Sequence, residues 1–170
     1  MIIIAVIVVT IVVSIGIGIL DITLRDLILA NIEKESLKAF YAADSGVDCA
    51  FHHDVSPPIG DFATPLNDAI GRSQPGSSSI TCNGQALTGM PVAGTDGPDL
   101  GSYPDSYTTT LGTYSLPNGS CVAVSIVKSL ASPLVSPFKE RTEIRADGAN
   151  TCAVGSRRVQ RSLLLRWESI

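Results

Sequence analysis

Charge is missing where a water-exposed segment would need it. Only 16% of the 170 residues are Asp, Glu, Lys or Arg, and none of these lies between Met1 and Leu20. A chain segment of that length spans about 30 Å as a helix, the thickness of bilayer hydrocarbon. Other scarcities exclude whole classes of function. Aromatic residues are 5% of the chain, too few for a large aromatic binding face. There are two histidines, and they are neighbours, His52 and His53. A Ser or Cys nucleophile elsewhere therefore has no separate imidazole base. No GxSxG, HExxH, P-loop or GxGxxG occurs. An enzyme is not expected, nor is a cofactor. The formal net charge of −4 and pI of about 5.0 argue against nucleic acid as a principal partner.

Four cysteines are present, Cys49, Cys82, Cys121 and Cys152. No two have the spacing of a zinc site or a redox CxxC. An even count beside a membrane-length apolar run suggests two disulfides in an oxidising compartment. Three pairings are possible. The simplest joins 49 to 82 and 121 to 152, which closes two local loops.

The apolar run lacks a basic region ahead of it and a small-residue cleavage site after it, so it is expected to be retained. It leads into Asp21 to Phe51, which turns amphipathic with a stripe at Ile32, Ser36, Ala39, Phe40, Ala43, Val47, Ala50 and Phe51. Residues 1–53 are predicted to be one long helical stem, 1–20 apolar and 21–53 amphipathic. Asp54 and Pro57-Pro58 end it. Phe40, Ala43, Val47 and Phe51 are the face expected to pack on the remainder of the chain. Gly16 and Gly18 read as close-packing points between apolar helices, the alternative being a point where the helix can unwind and stretch.

Residues 54–170 form a second region. Its first part, 54–116, is rich in Gly, Pro, Ser, Thr and Asp and reads as a long loop with a short strand at Ile80 to Cys82. The strand signals concentrate after 117. Ser120 to Ser129, Arg141 to Ala146 and Val159 to Trp167 alternate or run apolar. Asn118-Gly119, Asp147-Gly148 and Val154-Gly155-Ser156 read as the turns between them. The fold class expected is α+β: a stem of about 50 residues packed on an antiparallel sheet of three or four strands.

Several clusters have a plain structural explanation. His52-His53-Asp54 points in different directions at a helix end, where imidazoles favour the helix dipole, so no metal site is expected there. Asp96, Asp99 and Asp105 lack the ordered spacing of a calcium loop. Arg157, Arg158, Arg161 and Arg166 read as charges that discourage edge pairing. Asn118-Gly119-Ser120 matches a glycosylation sequon on a turn.

An apolar stem, its amphipathic continuation and a small disulfide-bearing sheet together resemble the type IV pilin and pseudopilin family. Residues 36–50, SLKAFYAADSGVDCA, are similar to the "AFxAAExGxxxA" signature of minor pilins of the PilX and GspK kind. Residues 141–167 resemble the closing hairpin of such proteins, where a Cys-bearing loop joins two strands. The resemblance implies a structural subunit of an extracellular filament, with Ile3, Ile7, Ile11, Val12, Ile15 and Ile19 in its core. It implies copies of the chain as partners, a membrane before assembly, and an assembly machinery with an ATPase and a leader peptidase. Localisation would pass from the inner, or cytoplasmic, membrane to a surface filament serving adhesion or motility. Ala5 stands where most major pilins carry Glu, and the family's stem proline is absent. The missing Glu and the PilX-like signature favour the alternative of a minor or tip pseudopilin in adhesion or type II secretion. A single-pass anchored binding protein is the remaining reading.

Overall fold

A computed structural model describes residues 2–55, 62–65, 78–94, 106–130, 139–153, 155 and 158–169. Among these residues lie one helix, α1 (Ile2–Val55), and seven strands: β1 (Ser78–Cys82), β2 (Gln85–Ala93), β3 (Ser106–Leu111), β4 (Tyr114–Ser115), β5 (Cys121–Leu130), β6 (Glu140–Ala149) and β7 (Gln160–Ser169). The strands form one antiparallel sheet in the order β1-β2-β3-β5-β6-β7, with β4 also pairing β5. The long helix packs on this sheet through its last third, giving the α+β class.

The chain divides into two compact units, Met1–Leu37 and Lys38–Ile170. The division falls inside the helix. The 1–53 and 54–170 reading divides by secondary structure, whereas burial assigns the end of the helix to the second unit, called the head below. Within the head, α1 buries Ala39, Ala42, Ala43, Gly46, Val47 and Ala50. These positions recur at the three- and four-residue spacing of one helical face. All but Val47 are Ala or Gly, and that lets the helix lie close on the strands. A Cβ added to Gly46 would stand 2.6 Å from Val122 Cγ2. One added to Gly148 would stand 2.1 Å from the Ala39 carbonyl oxygen.

Of the four residues expected on the packing face, Ala43 and Val47 are buried. Phe40 and Phe51 are not; they remain 42% and 39% exposed. The helix approaches too closely for a phenyl ring beneath it, so both rings sit at the margins. Phe51 meets Trp167 edge-on with centroids 5.1 Å apart. Phe40 meets Tyr41 of the same helix.

The sheet is larger than three or four strands because residues 78–115 supply β1 to β4. The loop reading of 54–116 is therefore corrected. Asn83 and Gly84 both take positive φ, 51° and 74°, the paired left-handed residues of a tight hairpin. The Thr-rich run of β3 then fits a pleated surface through its β-branched side chains. Asp147-Gly148 is not a turn either. Both lie inside β6, where Gly148 pairs with Val122 and Arg161. Glycine is there because the helix backbone crosses above it. Gly119 does turn, with φ 79°. Val154 and Ser156 of the third expected turn lie outside the described residues.

The inner face of the sheet alternates as β strands require. Val122, Val124 and Ile126 of β5 and Thr142, Ile144 and Ala146 of β6 are buried against the helix. Ile80, Leu87, Leu111, Tyr114 and Phe62 complete the core. Cys49 bridges Cys82, tying the helix to β1, and Cys121 bridges Cys152, tying β5 to the segment after β6.

Candidate functional site

The apolar end of α1 has a chemistry of its own. Its β-branched residues would favour a strand in water. Where the surroundings are greasy, the backbone must satisfy itself, and a helix does so within one segment. The hydroxyls comply with the same demand. Thr10 donates to the Ile7 carbonyl at 2.8 Å, Ser14 to the Thr10 carbonyl at 2.8 Å, and Thr23 to the Leu20 carbonyl at 2.9 Å. No polar hydrogen of those three side chains is left facing outward. Asp21 and Arg25, the first charges, pair with each other at 3.0 Å along the helix.

Among the described residues the side chains of this segment are open. Ile3, Ile7, Ile11, Val12, Ile15 and Ile19 are each more than half exposed, as are Val8 and Val9. The first buried residue of the helix is Ala39. The helix is long and apolar enough to cross a membrane by length and composition. A Cβ on Gly16 or Gly18 would meet nothing within 4 Å among the described residues.

The head holds a buried charge cluster that the sequence reading missed. Asp54 comes from the last turn of α1, Lys128 from β5 and Glu140 from the start of β6. The Lys128 Nζ lies 2.6 Å from Asp54 Oδ1 and 2.9 Å from Glu140 Oε1. The three side chains are 9%, 4% and 6% exposed for Lys128, Asp54 and Glu140. The Thr64 hydroxyl donates to the other Glu140 oxygen. The Lys128 contact with Asp54 has the distance of an ion pair without the angles of a hydrogen bond, and Asp54 Oδ1 has no other partner among the described residues. Burial pushes the Asp54 carboxyl above its ordinary value, and Lys128 offsets only part of that. Burial alone would lower Lys128. The two facing carboxylates outweigh it, and the ammonium ends above its usual range. A signal was available: Lys128 continues the inward phase of Val122, Val124 and Ile126, so a cation is placed among core residues.

The other candidate residues are scattered. The His52 and His53 rings meet edge to face, and His53 Nε2 lies 3.4 Å from the Thr81 carbonyl oxygen. No group of three His, Cys, Asp or Glu side chains suited to a metal occurs among the described residues. Asp96, Asp99, Asp105 and Arg157 lie outside the described residues. Arg166 pairs with Glu143 at 2.7 Å, as Arg141 does with Glu168 at 2.9 Å. These are cross-strand pairs on the outer face of β6 and β7, since Arg141 opposes Glu168 and Glu143 opposes Arg166 in register. Asn118 is exposed at its turn, and its Oδ1 already accepts the Ser120 amide at 3.0 Å. Beneath Asn118, Ser120 is buried.

No protein-family model, curated protein or solved structure matches the chain.

Proposed function

We propose that the chain is a structural subunit of a type IV pilus-like extracellular filament, polymerising through its apolar helix. The observation that supports this most is the contrast within α1. Fourteen Ile, Leu and Val residues between Ile2 and Leu20 are more than half exposed, whereas the same helix buries five Ala and Gly residues and Val47 further on. Full burial of such side chains is worth about 1.5–3 kcal/mol each, so covering what remains open is worth on the order of 10–25 kcal/mol. A surface of that size requires a cover, either lipid or other copies of the helix.

Before assembly the cover is the membrane, and the head lies outside. On assembly the stems pack side by side and the heads form the shell. Exchange of lipid for neighbouring stems changes apolar exposure little. Extraction therefore needs external work, which the ATPase of a pilus-like machinery supplies. The two disulfides suit a head that lives in an oxidising environment.

The experiment is electron microscopy of surface appendages, with their protein content identified by mass spectrometry. Helical filaments composed mostly of this chain are the expected result. Ala5 favours a second reading, a minor or tip subunit, which would give filaments in which this chain is a rare component. Detergent-solubilised monomers with no filaments would leave the single-pass anchored binding protein and overturn the polymer.

A further inference from the structure

The buried cluster of Asp54, Lys128 and Glu140 holds an amine and a carboxyl group in reacting distance, with a second carboxylate beside them. We propose that Lys128 and Asp54 condense into an intramolecular amide, with Glu140 as the group that relays the proton. The inference stands apart from how the stem assembles, because all three residues belong to the head.

Geometry carries the argument. The Lys128 Nζ is 2.6 Å from Asp54 Oδ1, so the carboxyl carbon lies at most one C–O bond farther away. That upper bound lies close to the near-attack separation of about 3–3.5 Å from which two bound groups react as one molecule. Glu140 Oε1, at 2.9 Å from the same nitrogen, is within the reach required of a general base. Its other oxygen is held by the Thr64 hydroxyl, which sets the carboxylate's orientation. The site is closed to solvent, all three side chains being under a tenth exposed. Exclusion of water matters because amide formation expels a water molecule and bulk water would reverse it.

The step balances without any other reactant. The Lys128 ammonium passes one proton to the Asp54 carboxylate, leaving a neutral amine beside a carboxylic acid. Burial, which raises the affinity of Asp54 for a proton, assists that transfer, and the two carboxylates that hold the Lys128 ammonium charged oppose it. The amine nitrogen then bonds to the Asp54 carboxyl carbon, and Glu140 takes a proton from that nitrogen. Glu140 returns the proton to the departing hydroxyl, the C–O bond breaks, and water leaves. An ammonium and a carboxylate have become a neutral amide. Glu140 ends as it began, now accepting from the new amide N–H and from Thr64.

Such a bond would rivet the last turn of α1 to β5, an inner strand of the sheet. It would also replace a buried ion pair, costly to desolvate, by a neutral group.

The test is the intact mass of the full chain, extracted in detergent, reduced and denatured. The expected mass is that of the sequence less one water. Proteolysis should release one branched fragment joining the segment that contains Asp54 to the segment that contains Lys128. The fragment distinguishes the amide from a cyclised Asp-Gly, which also loses water but joins nothing. Lys128→Arg and Asp54→Ala should have the full sequence mass. Glu140→Gln should reduce the linked fraction at least tenfold, with formation of both disulfides showing that the variant has folded. A wild-type chain of full mass overturns the proposal whatever the variants do. A wild-type chain one water short but without the branched fragment overturns it as well.

Discussion

Replacing Ile7 by Asp tests the assembly surface directly. Ile7 is 52% exposed on α1 and sits 32 positions (39 − 7) ahead of Ala39, the first residue the helix buries. An Asp at the centre of an apolar span costs about 2.5–3.5 kcal/mol, and loss of the isoleucine adds roughly 0.3–0.6. The sum of about 3–4 kcal/mol corresponds to a few hundredfold in an equilibrium, at about 1.4 kcal/mol per tenfold. The penalty applies in lipid and again between packed stems, because neither offers the carboxylate a partner. Filament mass per cell, measured on sheared appendages, should therefore fall by at least about a hundredfold. Val12→Asp should behave alike, since Val12 is also open, at 63%. The head should be untouched: both disulfides should form, and its denaturation midpoint should shift by no more than about 0.5 kcal/mol. Normal filaments from Ile7→Asp would refute the claim that stems pack through this surface. An unfolded head would refute the claim that this surface serves nothing within its own chain.

The remaining predictions concern the head. Gly148→Val places a side chain where even a Cβ stands 2.1 Å from the Ala39 carbonyl oxygen and 2.4 Å from the Ala43 nitrogen; both are backbone atoms, so the cost should reach about 3 kcal/mol or more, visible as a Tm lower by roughly 10 °C. Removing the Cys49–Cys82 bridge, which spans a sequence separation of 33, should lower head stability in urea by about 4 kcal/mol in the chain-entropy picture. Burial pushes the Tyr114 phenol above its ordinary value, and a contact with the Ser45 hydroxyl opposes this without hydrogen-bond geometry. A raised folded-state pKa gives stability that is complete below about pH 10, the unfolded value, and is lost as pH rises through the folded one. Tyr114→Phe should accordingly flatten the alkaline limb of a stability–pH curve; an unchanged limb would exclude Tyr114 as its source.

Much of the architecture was legible before any coordinates. The charge-free run, the amphipathic continuation and the alternation of Val122, Val124 and Ile126 are local patterns, and local patterns report on elements. The small-residue signature of 36–50 took on a physical meaning only with the sheet beneath it. Ala39, Ala42, Ala43, Gly46 and Ala50 are small because β5 and β6 press close, whereas Phe40 and Phe51 were expected inside on spacing alone. Spacing identifies a face but not how near the neighbouring layer lies. The strands of 78–115 escaped because their composition is that of loops, although Asn83-Gly84 was a hairpin signal in plain view.

By itself, then, the sequence determined that an uncharged helix of membrane length precedes a disulfide-bearing β-rich head, because hydrophobicity and periodicity act residue by residue along the chain. Tertiary structure alone decided that Gly148 lies under a helix rather than in a turn. It alone brought Asp54, Lys128 and Glu140 together from three elements, 54, 128 and 140 positions along the chain. Proximity between distant residues is a property of register and packing, and no stretch of sequence carries it on its own.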